Sequence, residues 1–268
     1  MLRQIAHKIR HAPFLGQLNP FWDFVRPTYQ NLLDPFDKGV RVTVGGAVDV
    51  RMPKEYIGGR WESYEPEEVR AIVSWLLKHP GSLFVDVGCA VGIYSLIALT
   101  LGAKVIAFDS DINAIKMTER FCRYQGTPQL LWGFVSERHE SGRSLDSLLE
   151  LTSRRVTESH ATGKPGTNRY TCIGSDSAIP THSLDGLLPD RLALIKCDIE
   201  GAEMLMLKGA ERFIETNRPH IALSVHPPAL PEYGHTVTEV SSFLRGHRYE
   251  IDLLATDHEE HWWCSPLS

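Results

Sequence analysis

Phe84-Val85-Asp86-Val87-Gly88-Cys89-Ala90-Val91-Gly92-Ile93-Tyr94 decides how this chain is read. An apolar run ends in an acid, a glycine-punctuated turn follows, and an apolar helical stretch begins. A parallel strand hands over to a helix in this way at the edge of a nucleotide-type site. A second apolar run, Val105 to Phe108, ends in another acid, Asp109. Two consecutive strands ending in acids suit a ligand with an amino group and a ribose diol. Adenosyl cofactors carry both.

The turn itself discriminates weakly. A dinucleotide fingerprint reads G-x-G-x-x-G. Here Gly88 and Gly92 are present, but Ala90 and Ile93 stand at other key positions. That spacing leaves room for an amino-acid moiety and a ribose, with less provision for a pyrophosphate. Asp109 could hold ribose hydroxyls in either cofactor class, so the turn disfavours NAD without excluding it.

Working outward, strands and helices alternate. Glu65-Pro66-Glu67-Glu68 opens a helix, with proline near the first turn and acids at the positive end of the dipole. Val69, Ile72, Val73, Leu76 and Leu77 recur at helical spacing until His79-Pro80-Gly81 stops it. Strands are predicted over 83–87, 105–108, 130–135, 193–197 and 221–225. Helices are predicted up to about 101, over 112–124, from Gly201 onward and over 237–244. Residues 249–254 and 262–264 read as a closing pair of strands. The alternation means a parallel sheet with helices on both faces. Residues 1–60 read as an N-terminal extension, with a hairpin over 40–50 turning at Gly45-Gly46. Residues 61–268 form the main domain. A loop-rich insertion, 136–183, breaks the pattern with one short helix at Leu145, Leu148 and Leu149; with the extension it is expected to shape an acceptor pocket. Ser144-Leu145-Asp146 and Ser183-Leu184-Asp185 both read as serine-capped helix starts.

Composition narrows the class. The 268 residues are 43% hydrophobic and 23% charged, with a formal net charge of −5. A general nucleic-acid surface is not implied. Five cysteines, at 89, 122, 172, 197 and 264, are scattered and form no CxxC pair. Reduced thiols in a cytoplasmic protein fit this better than a disulfide framework. No apolar run is long enough to span a bilayer, and Arg3, Lys8 and Arg10 interrupt any signal-peptide core. The basic start is expected to pack on its own domain, without stable membrane insertion.

Four predicted strands end in polar groups that could converge: Asp86, Asp109, Asp198 and His226. Asp109 or Asp111 could instead cap the helix from Ile112. The most specific segment is Ile195-Lys196-Cys197-Asp198-Ile199-Glu200-Gly201-Ala202-Glu203, followed by Leu207-Lys208-Gly209-Ala210 and by a strand ending in His226-Pro227. With the D-x-G-x-x-x-G turn at Asp86 to Gly92, this resembles the FkbM family of S-adenosylmethionine-dependent methyltransferases, over about Val40 to Trp263. Three features depart from that family. Asp109 stands where a Glu is frequent, Ser224 lies near a frequent acid, and the insertion is long.

The resemblance implies a class I methyltransferase fold, Rossmann-like, with a seven-stranded, mostly parallel sheet. It implies methyl transfer to a hydroxyl of a small molecule or glycan. Asp86, Gly88 and Gly92 would hold the methionine end of S-adenosylmethionine, Asp109 the ribose hydroxyls, Asp111 and Ser136 the adenine side. Asp198 would face the amino group or the acceptor. An alcohol acceptor must lose a proton, so a base within reach helps. His226 is the first candidate because imidazole titrates near neutrality, with Asp198 and Glu200 as alternatives. Glu203 suits the helix dipole. Asp198, Glu200 and His226 could also hold a divalent ion, but no metal is assigned. His258 and His261 lack H-E-x-x-H spacing, and 257–263 reads as a solvated turn before a strand. An NAD-linked oxidoreductase and a noncatalytic adenosyl-binding module remain as alternatives.

Overall fold

A computed structural model describes residues 34–136, 180–187 and 192–267, together with Leu32. It begins on a hairpin of β1 (Val40–Val44) and β2 (Val48–Met52), followed by helix α1 (Pro66–Lys78). Next come β3 (Leu83–Val87), α2 (Ile93–Thr100), β4 (Lys104–Asp109), α3 (Ile112–Cys122), β5 (Gln129–Trp132) and the short β6 (Phe134–Val135). A short β7 (Thr181–His182), β8 (Ala193–Cys197), α4 (Glu203–Lys208) and α5 (Glu211–Asn217) follow. The chain closes on β9 (His220–Val225), α6 (Val237–Gly246), β10 (Tyr249–Thr256) and β11 (Glu260–Pro266).

Seven strands form one sheet in the order β10-β11-β9-β8-β3-β4-β5. The pairs from β9 to β5 are parallel, and β11 runs antiparallel to both its neighbours. This is the class I methyltransferase fold. Strand order reverses between β3 and β8, so their carboxyl ends open a crevice where such sheets bind ligands. Every residue of β3 and β8 is buried, as expected of strands covered on both faces.

The pleat sends alternate residues into two cores. Phe84, Leu194 and Ala222 face the hairpin, α1, α2 and α3. Val85, Val87, Ile195, Cys197, Leu223 and Val225 face α4, α5 and α6. The hairpin belongs to the first core: Val44, Val50 and Met52 are essentially inaccessible, alongside Val69, Ile72 and Leu96. Residues 40–52 are therefore packed into the first core.

Most predicted elements are found within two or three residues of their expected ends. The run 130–135 is not one strand. It breaks at Gly133, whose N–H is taken by the Asp109 carbonyl, and β6 pairs with β7 outside the main sheet. The helix expected from Gly201 begins at Glu203, because Glu200 and Gly201 hold φ of 52° and 105°. Ser183 caps only a 3-10 turn, Leu184–Gly186. The expected helix at 145–149, its Ser144 start, the basic N-terminal segment and the body of the insertion lie outside the described residues. No helix among the described residues is long and apolar enough to cross a membrane.

Candidate active site

A cleft opens where β3, β4 and β8 end. Gly88, Asp109, Asp198 and Glu200 line it, and Phe134, Val135, Ile199 and Tyr233 supply apolar wall. Among the described residues, no Lys, Arg or His lines it. A cleft with three acids and no base suits a cationic ligand bearing hydroxyl donors. It is a poor seat for a pyrophosphate, whose charge those acids would repel.

Gly88 sets the depth of this cleft. Its φ is +83°, and a Cβ there would lie 1.9 Å from the Asp198 carbonyl oxygen. Only glycine lets the β3 end approach the β8 end so closely. The Gly88 and Cys89 amides bond back to the Phe108 carbonyl, which ties the turn to β4. Ala90 stands at φ 48°, a left-handed conformation costing about 1–2 kcal/mol for a residue with a Cβ. Its N–H donates to Asp109 Oδ2 at 2.9 Å. Asp109 Oδ1 accepts from the Asp111 amide at 2.8 Å. Burial pushes Asp109 up to about 6, with those backbone donors opposing the rise.

Several predicted cofactor residues act from behind the cleft. Asp86 is 1% exposed and accepts from Ser95 Oγ at 2.6 Å, so it braces α2 against β3. Burial lifts its carboxyl to about 6. Gly92 is the first residue before α2, and a Cβ there would meet Thr118 Cα at 2.9 Å. It permits α2 and α3 to pack closely and does not line the cleft. Asp111 is the cap of α3, accepting from the Asn113 amide at 2.8 Å. The capping alternative is therefore the one realised. Ser136 lies beyond the wall, with its amide bonded to the His182 carbonyl.

Of the three candidate catalytic groups, Asp198 and Glu200 reach the cleft and His226 does not. His226 is 5% exposed. Its Nδ1 lies 2.7 Å from Glu203 Oε1, which also accepts from the Gly201 amide. Its Nε2 is 2.6 Å from Glu259 Oε2, 3.6 Å from Asp198 Oδ1 and 3.8 Å from Glu200 Oε2. Burial alone would lower this imidazole, but the Glu203 bond and the surrounding carboxylates raise it to about 10. The expectation of His226 at the cleft is corrected by its position: the ring stands behind the cleft wall, between Glu203 and Glu259. Burial raises Asp198 to about 6 against the pull of Lys196. Glu200 lies half-exposed at φ 52°, a second left-handed residue on the cleft rim.

A buried polar layer supports this edge. Lys196, 1% exposed, donates to Ser224 Oγ at 2.7 Å and pairs with Glu68 at 3.2 Å and Asp198 at 3.8 Å. The Tyr94 hydroxyl lies in hydrogen-bond contact with the carboxyl groups of both Glu65 and Glu68. Burial raises Glu65, whereas Lys196 overcomes burial at Glu68 and lowers it. His261 and Glu259, each 2% exposed, complete the layer from the β11 side. The turn at 257–263 is thus solvated only in part, with His258 outside. None of Lys196, Glu68, Tyr94, Glu259 or His261 was expected in the site. A lysine inside the apolar run Leu194 to Cys197 was the available signal. Glu68, on the same helical face as Ile72, was a second.

The family model for the Methyltransferase FkbM domain matches residues 138–251, which takes in the Ile195–Glu203 block and begins after the glycine turn. No curated protein matches the chain. Among solved structures, magnesium protoporphyrin IX methyltransferase from Synechocystis PCC 6803, with bound SAM, is similar at 15% identity and a TM-score of 0.43, over 74% of this chain and 78% of that one. A Methyltransferase FkbM from Methylobacillus flagellatus KT is similar at 19% identity and a TM-score of 0.45. There the similarity covers 69% of this chain and 43% of the other.

Proposed function

We propose that this chain is an FkbM-type methyltransferase, a reading the family model supports over residues 138–251, and that it transfers a methyl group from S-adenosylmethionine to a hydroxyl of a small molecule or glycan. The observation that carries the cofactor reading is the cleft itself: apolar walls, Asp109 at the end of β4, and, among the described lining residues, acids without a counter-base. S-adenosylmethionine is a cationic amino acid joined to a nucleoside, and the residues fit it. The Gly88 turn would seat the methionine end, with Asp86 and Gly92 bracing that turn. Asp109 would accept from the ribose hydroxyls. Phe134 and Val135 would flank the adenine in place of Ser136.

When bound, the cofactor supplies a methyl group already activated on a sulfonium. The protein's share is alignment, exclusion of water and proton removal. Asp198 and Glu200 are the carboxylates at the cleft able to receive the hydroxyl proton. His226, Glu203 and Lys196 hold Asp198 in place from behind.

Calorimetric titration with S-adenosylhomocysteine, with NAD in parallel, tests this reading. Micromolar binding of the first ligand and none of the second is expected. Asp109→Ala should weaken binding by at least about 100-fold, the worth of two hydrogen bonds to a charged acceptor. Binding of NAD alone would overturn the assignment. Methyl transfer to pooled hydroxylated acceptors, compared with amine and thiol pools, tests the acceptor class.

Affinity should also depend on pH through Asp109, whose carboxyl sits at about 6. S-adenosylhomocysteine affinity should be flat from pH 8 to 7 and fall by up to about tenfold per unit below 6, as the acceptor is protonated. The unliganded fold moves the other way at this group. A carboxyl raised from its ordinary 3.8 adds stability at low pH and loses it as pH rises through about 6. Weak binding at pH 5.5 with an unchanged or higher Tm is therefore the expected pair. A pH-independent affinity would remove Asp109 from the ribose role.

A further inference from the structure

We propose that Asp198, His226 and Glu259 form a binding site for one divalent cation, with Glu200 at its open side. The three residues come from three chain segments: the ends of β8 and β9 and the turn before β11. Their ligand atoms all lie within 4.8 Å of one another. From His226 Nε2 the distances are 2.6 Å to Glu259, 3.6 Å to Asp198 and 3.8 Å to Glu200. The 3.6 Å and 3.8 Å separations suit neighbouring ligands on one metal whose bonds are about 2.0–2.2 Å long, and the His226–Glu259 pair would open by about 0.4 Å to join them.

A second observation points to a ligand rather than to a mere acidic cluster. His226 Nε2 and Glu259 Oε2 are both inaccessible, yet neither has a hydrogen-bond partner among the described residues. They lie 2.6 Å apart without the alignment a hydrogen bond requires. The residues are 5% and 2% exposed, so solvent does not satisfy them. Buried polar atoms without a partner are costly.

The support around His226 is that of a metal ligand. Glu203 fixes Nδ1 at 2.7 Å, and that carboxylate is itself held by the Gly201 amide at 2.9 Å. A carboxylate behind a ligating histidine sets its orientation and strengthens it as a donor. Charge points the same way. Glu200, Glu203, Glu259 and Asp198 surround one imidazole, while Lys196 is shared among Ser224, Glu68 and, at 3.8 Å, Asp198. Carboxylate oxygens with one imidazole favour Mg²⁺ or Mn²⁺ over a thiophilic ion.

Asp198 and Glu200 line the cleft, so the cation would face it. A hydroxyl oxygen bound there would release its proton more readily, and Glu200 could receive it. That role rests on the methyl-transfer reading; the binding of the ion does not.

The test is titration of the chelator-treated, full-length protein with MnCl₂, followed by electron paramagnetic resonance of free Mn²⁺ and by calorimetry. One Mn²⁺ per chain, displaced by excess Mg²⁺, is expected. Asp198→Asn and Glu259→Gln should each raise the Mn²⁺ Kd by at least tenfold. Glu203→Gln, which leaves the ligand set whole, should raise it about 10–100-fold. Circular dichroism checks folding. Should Glu259→Gln unfold, Asp198→Asn at the cleft decides alone. No saturable one-to-one binding, or a Kd unchanged by Asp198→Asn, overturns the site. The same samples are titrated with S-adenosylhomocysteine. Mn²⁺ bound without that ligand would keep the cation site and reject the cofactor reading, and the converse would do the reverse.

Discussion

Lys196→Met is expected to cost about 3–5 kcal/mol of folding stability, the usual penalty for removing one partner of a buried ion pair. For a chain of this size that is a fall in Tm of roughly 6–20 °C by thermal melting. The cause is not lost packing, since methionine keeps most of the lysine stem. Glu68, 1% exposed, would lose the ammonium 3.2 Å away, and Ser224 Oγ would lose its donor. Asp198 would lose the positive charge that opposes its burial. The double variant Lys196→Met/Glu68→Gln should recover part of the loss, because it removes the stranded charge as well. A single variant as stable as the parent would show that the layer is held by something other than this pair.

Gly88→Ala is expected to abolish S-adenosylhomocysteine binding and to lower stability by about 2–5 kcal/mol. That sum combines about 1–2 kcal/mol for a Cβ in left-handed backbone with about 1–3 kcal/mol for overpacking. The added methyl would meet main chain, the Asp198 carbonyl at 1.9 Å, and main chain cannot rotate away. The ends of β3 and β8 must separate, which moves Asp198 and the turn carrying Ala90 together. Calorimetry and a thermal melt read the two effects separately. Parent-like affinity in Gly88→Ala would mean that the ligand does not use this crevice. Gly92→Ala should destabilise by the same kinds of strain, yet leave weaker, measurable binding, since Gly92 supports the α2–α3 contact rather than the cleft surface.

The sheet was legible because it is built from short-range pattern. Leu83 to Val87 and Ala193 to Cys197 are uninterrupted apolar runs apart from Asp86 and Lys196, and strands buried on two faces read that way. Asp86, Asp109, Asp198 and His226 could be assigned to one edge because parallel strands bring their carboxyl ends together; Asp109 and Asp198 line the cleft, whereas Asp86 and His226 stand buried behind it. The break at Gly133 was not legible, since nothing local distinguishes a strand end from a strand whose amides are claimed elsewhere. Asp111 and Asp109 are near neighbours of one type, and only the fold separates a helix cap from a cleft carboxylate.

What the sequence determined by itself is the order of strands and helices and the chemical character of the crevice, because hydrophobic period and strand-end residues are local properties. What only the tertiary structure decided is the state of the groups behind that crevice. His226 reads as a near-neutral base in one dimension, where its own type is all that is known. In the fold it stands between Glu203 and Glu259, which lie 23 and 33 positions away along the chain. Glu68 comes to Lys196 across 128 positions. The ionisation of a buried side chain is set by the charges within a few ångströms and by the water it has lost. Both depend on contacts between segments far apart in the chain, which no local pattern encodes.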